Sequence, residues 1–166
     1  MKRCAMLAVL TIAAAAAAAP DRGIIGPLEK GFDAALASAA KIDDPVDLIG
    51  FTRGLYLDGY GAVFTAEVDL IQTPGLSPFR TEISPQLKES VHQRKLQHVP
   101  LVKDAMKTMM RSSALGLGSM PESEQIVVAV RMHYMPWENT TGLPGQIVMH
   151  SDRKSARLGD IKTEIE

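Results

Sequence analysis

The chain has a single cysteine, Cys4, which lies ahead of the first apolar run. Everything after it lacks a thiol, so the body of the protein forms no disulfide, no cysteine-ligated zinc site and no thiol nucleophile. An excess of positive charge is missing too: 18 basic residues face 19 acidic ones, and the net charge is −1. That balance does not fit a nucleic-acid binder. Aromatics are few, with one tryptophan, three tyrosines and four phenylalanines in 166 residues. The chain contains no HExxH metal motif, no GxSxG nucleophile elbow and no Ser-x-x-Lys with its usual companions. These absences remove the enzyme classes that announce themselves by local spacing. They leave triads assembled from distant positions untouched.

What is present begins with the first nineteen residues. Lys2 and Arg3 precede "MLAVLTIAAAAAAA" (Met6–Ala19), an apolar run ending in small residues before Pro20. A basic start, a short apolar core and an Ala-x-Ala end are the three parts of a secretory signal peptide, with cleavage expected near Ala18 or Ala19. The run is shorter than the ~20 residues that span a bilayer, which makes a permanent anchor the poorer reading. Cys4 precedes the apolar core, whereas a lipid-modified cysteine would follow it. Loss of Lys2 and Arg3 takes the net charge to −3. Export without cysteines, on an alanine-rich chain, points to a bacterial periplasmic or secreted protein. Residues 20–27, with Gly23, Gly26 and Pro27, are expected to be a linker, and residues 28–166 a single domain.

Leu28, Phe32, Ala35, Leu36 and Ala39 mark one face of a helix over about residues 28–41. Asp44 before Pro45 is a helix-start signal, and its turn is expected to stop at Gly50. The stretch "YLDGYGAVFTAEVDL" (Tyr56–Leu70) then holds two glycines beside an acidic residue. A phosphate-binding loop needs a longer glycine pattern and a helix directly after it. The residues after Gly61 instead alternate as a strand, through Phe64, Ala66, Val68 and Leu70. Asp58-Gly59 is therefore expected as a two-residue type I′ hairpin turn, and Gly61 as a bulge or a close backbone approach.

Residues 73–82 carry two prolines and a glycine and are expected to be a loop. Ser84-Pro85 opens the longest helical signal, with Leu87, Val91, Val99, Val102, Met106 and Met109 on one broad face. Lys95 falls among the remaining polar positions, His92 and His98 are expected at the surface, and Pro100 should kink or break the helix. "QIVVAVRMHYM" (Gln125–Met135) is expected as a strand and Gln146–His150 as its hairpin partner. Ser155 is expected to cap a final helix containing Leu158, Ile161 and Ile165. The implied fold is α+β: an antiparallel sheet of about four strands, in two hairpins, packed against a long kinked helix with a short N-terminal helix.

Three groups of residues can carry function. Glu67 and Asp69, two apart on one strand face, can divide acid and base roles; the ordinary alternative is a solvated sheet face. Arg131 and His133 pair similarly, and with the hairpins side by side all four gather as an acid–base or anion-holding surface. The plain alternative is cross-strand salt pairing on a wet sheet. His133 and Met135, with Trp137, offer imidazole, thioether and an aromatic face to a soft cation such as Cu(I), although methionine is more often core filler. Trp137, in a turn-rich loop, serves either as a recognition residue, together with Arg131, or as a lid on the core. No cofactor is expected. The leading expectation is a non-catalytic exported domain binding an envelope protein or a small ligand, with membrane contact only through the export signal. An acid–base, hydrolase-like enzyme and a copper binder are the alternatives.

Overall fold

A computed structural model describes residues 20–41, 43–73 and 82–166. The export segment over residues 1–19, and most of the expected loop over residues 73–82, lie outside the described residues. Helix α1 spans Arg22–Ala37, six residues ahead of its expected start. Asp21 explains the difference: its side chain accepts from the Ile24 N–H at 3.1 Å and caps the helix before Pro27 is reached. Pro27 costs one donor to the Gly23 carbonyl but does not open the helix, so residues 22–27 are helix and not linker. The buried face is Ile25, Glu29, Phe32 and Leu36.

No helical turn follows Asp44. Strand β1 (Asp47–Leu48) forms there, then β2 (Arg53–Leu57), and both pair antiparallel with β3 (Gly61–Asp69). The expected hairpin is therefore present, but its turn is not type I′. Leu57 pairs with Gly61 across three residues, Asp58–Tyr60, and only Gly59 in that loop has positive φ, at 73°. The Tyr60 N–H returns to the Leu57 carbonyl at 3.0 Å, the pattern of a type II turn. Gly61 is a close approach: a Cβ there would lie 1.9 Å from the Gln125 carbonyl oxygen, and its φ is 131°. Only glycine fits.

Helix α2 (Pro85–Gly116) runs 32 residues, capped by Ser84 on the Leu87 N–H with Pro85 at its first position. Pro100 lies inside it without breaking it. β4 (Gln125–Met132) then returns parallel to β3, with Gly61 opposite Gln125 and Glu67 opposite Arg131. This corrects the expected all-antiparallel sheet. Two strands joined by a helix about 48 Å long are carried back to the starting end, so they align in parallel. β5 (Gln146–Asp152) pairs antiparallel with β4. Helix α3 (Arg153–Leu158) is capped by Asp152, not Ser155, and ends at Gly159 with φ 84°. Ile165 belongs to a sixth strand, β6 (Lys162–Ile165), on β5, and not to a helix. The sheet order is β1-β3-β4-β5-β6, with β2 beside β1 on the same edge of β3.

Alternation assigns the two faces. Phe64, Ala66, Val68, Ile126, Val128, Val130, Ile147 and Met149 face α1 and α2 and are buried, together with Val102, Met106 and Met110 of α2. The opposite face carries Leu55, Thr65, Glu67 and Arg131 and has no helix over it among the described residues. Gly54 on the inner face is the point where α1 meets the sheet, since a Cβ there would sit 2.7 Å from both Ile25 and Phe64.

Candidate functional site

The four residues expected to gather on one surface separate into two environments. Glu67, Arg131 and His133 are exposed and line one cavity of about 380 Å³ with Met132 and Tyr134. Asp69 is absent from it. Only 6% exposed, it lies at the end of β3, where Lys95 of α2 holds its carboxylate at 2.7 Å. β4 stops at Met132, three residues short of the expected end, and the Glu138 N–H bonds the Met135 carbonyl at 3.0 Å to make a turn. His133, Met135 and Trp137 therefore do not share a strand face. Met135 and Trp137 are half-buried, and the Trp137 Nε1 is shielded without a hydrogen-bond partner among the described residues. No group of three or more His, Cys, Asp or Glu side chains among the described residues is placed to hold a metal.

The largest change from expectation concerns Lys95, which is fully buried. Its Nζ lies 2.7 Å from Asp69 Oδ1 and 2.5 Å from Glu138 Oε2, in ion-pair contact but outside hydrogen-bond angles at Nζ and Glu138 Oε2. The Tyr134 ring faces the same ammonium at 4.9 Å. Burial, then the charges of Glu138 and Asp69, pushes the Tyr134 hydroxyl well above its ordinary range, and that hydroxyl donates to the Pro144 carbonyl at 2.7 Å. His92 and His98 are buried too, correcting their surface assignment. His92 Nδ1 meets the Asn139 carbonyl at 2.9 Å, and His98 Nδ1 meets the Leu70 carbonyl at 2.6 Å. Beside them Arg94 pairs with Asp44, whose carboxyl its hydrogen bond holds below the usual carboxylate range. These groups fasten α2 to the loops at one end of the sheet.

The burial of Lys95 and His98 was readable from spacing. Val91, Lys95, Val102, Met106 and Met109 follow one helical stripe, and His98 lies on it between Lys95 and Val102. The polar identity of Lys95 and His98 masked a core position. Glu138 gave no comparable signal, because a loop has no period from which to infer its direction.

The open sheet face contains a second and larger concavity of about 450 Å³. Its origin is a mismatch between strands. Leu48 pairs with Val68 and Arg53 pairs with Thr65, so residues 49–52 oppose only Ala66 and Glu67. The two surplus residues buckle outward, helped by Gly50 at φ 89°. Thr52 is anchored beneath: Asp33 of α1 accepts from its N–H at 2.9 Å and from its hydroxyl at 2.6 Å. Ile49 and Phe51 project as the lip of the groove, Phe51 being 75% exposed. The floor is low because Thr65 and Ala129, opposite each other in register, are small. Arg53, Glu67 and Arg131 stand around it.

Against protein-family models, curated proteins and solved structures, the chain finds no match.

Proposed function

We propose that this chain is an exported, non-catalytic domain that binds a small ligand or an envelope partner through the uncovered face of its sheet, at the groove under Ile49 and Phe51. One observation carries the reading. The anchored bulge over residues 49–52 holds a phenylalanine 75% exposed above a floor of small side chains. A large apolar side chain fixed in water beside a cavity gains burial when something occupies that cavity. A central parallel pair is also ordinarily covered on both faces, and among the described residues helices cover one. Export rests on residues 1–19 alone, and periplasmic or secreted localisation follows from it.

The direct test is Ala129→Trp, which fills the groove floor from an outward-facing strand position. A bound molecule at one hundred times its Kd stabilises a protein by about 2.7 kcal/mol. Small molecules extracted from the cell envelope are expected to raise the melting temperature of the parent chain and leave the variant unmoved. Equal shifts in both would place binding elsewhere and end the reading. N-terminal sequencing of the envelope-fraction protein should begin just after Ala18 or Ala19; an intact Met1 there would remove the cleaved export signal.

A second reading, acid–base chemistry by His133 with Glu67, is favoured by the one cavity they line with Arg131. Asp69 does not join it, since Lys95 neutralises that carboxylate within the fold.

A further inference from the structure

We infer that the groove takes an organic monoanion with an apolar body, such as a medium-chain or aryl carboxylate, its head held by Arg53 and Arg131. The inference rests on the sheet-face reading and specifies the chemistry of its ligand. Arg53 and Arg131 both line the groove, and among the described residues neither makes an ion pair or a side-chain hydrogen bond. Elsewhere the described arginines are mostly engaged: Arg22 with Glu29, Arg94 with Asp44, Arg153 with two carbonyls and Arg157 with Glu122. Of the other described arginines Arg111 alone is likewise unpaired, and at this groove two unpaired guanidiniums line one cavity.

Register defines their relation. Arg53 stands opposite Thr65, Thr65 opposite Ala129, and Arg131 lies two residues further along the same face. The two cations flank a floor of small side chains diagonally, and each planar fork can hold a carboxylate with two parallel N–H bonds. Glu67 lies opposite Arg131 without forming an ion pair to it. Two positive charges and one negative leave a single net positive charge around the groove. That sum favours a monoanion over a dianion, and it repels an amine. Ile49 and Phe51 then cover the apolar portion, since they form the lip above the same cavity.

The experiment titrates octanoate, 1-octanol and octylammonium into isotopically labelled protein and monitors the backbone amide signals of Thr65 and Ala129. Octanoate is expected to bind at least about tenfold more tightly than the other two. Arg53→Gln and Arg131→Gln should each weaken octanoate by about 5–10-fold with the spectrum otherwise intact. Glu67→Gln should tighten it by about 2–3-fold, a gain that damage to the fold cannot produce. Equal binding of all three probes at these signals would overturn the anion selectivity while leaving the sheet-face reading standing. Octanoate binding that ignores all three substitutions would overturn it as well. Failure of every probe to move these signals also defeats the inference, and the Ala129→Trp comparison then decides the broader reading separately.

Discussion

Glu67 and Asp69 are two residues apart on one strand, both carboxylates, and they meet opposite fates. Asp69 is shut between α2 and the loop carrying Glu138, with Lys95 as its counterion. Glu67 stands in water at the groove with no ion pair among the described residues. The buried charges act as fasteners, because each loses its solvent and is held by the other. The exposed charges at the groove make no ion pair among the described residues, and the proposed ligand site draws on them. The molecule thus separates polar groups that hold it together from polar groups left available.

Lys95→Met breaks the comparison most severely. It leaves two buried carboxylates without a cation and should cost about 3–5 kcal/mol by urea unfolding. Adding Asp69→Asn and Glu138→Gln to that variant should recover part of the loss. Gly61→Ala comes next, at about 3 kcal/mol. A methyl group there meets the Gln125 backbone at a φ suited to glycine, and the start of the parallel pairing must shift. A loss under about 0.5 kcal/mol would mean that β3 and β4 are not in the register described.

A smaller effect sharpens the same division through pH. Asp44 has a folded pKa below its unfolded one, chiefly through its hydrogen bond from Arg94, with His98 and Lys41 adding attraction and burial opposing. Its contribution is therefore complete above the unfolded value near ~4 and is lost as pH falls through the depressed folded value. Asp44→Asn should lower stability by about 1 kcal/mol at pH 7. It should also flatten the acid limb of the stability profile below about pH 4; an unchanged limb would remove Asp44 from the linkage. At the bottom of the scale, Arg131→Gln and Glu67→Gln should each change stability by less than about 0.5 kcal/mol. A larger loss would show that these charges are fasteners too.

The same division explains what the sequence revealed. The α+β class, the place of the β2–β3 hairpin, the Ser84 cap and the tight approach at Gly61 are local consequences of alternation, capping and glycine geometry and were legible, whereas the type of the β2–β3 turn was not. The parallel β3–β4 pairing was not, because strand direction depends on where α2 delivers the chain. Asp44-Pro45 and Ser155 look like caps, but Asp152 claims the second role and β-pairing with Val68 and Asp69 decides the first region. Glu67, Arg131 and His133 were placed together by their strand positions. Lys95 and Glu138 were missed, one hidden on an apolar stripe by its charge and the other in a loop without periodicity. The groove itself depends on two surplus residues between β1 and β2, a register fact that appears only once β3 is seen as the partner of both.

Everything rests on the sheet having one packed face and one accessible to other molecules. Relaxation by a soluble gadolinium chelate tests this at the valine and isoleucine methyl groups. Val63, Val127 and Val148 should broaden strongly, while Val68, Val130 and Ile147, which are fully buried, stay sharp. Equal protection of both sets would mean that the groove face is already covered, and the account would be wrong.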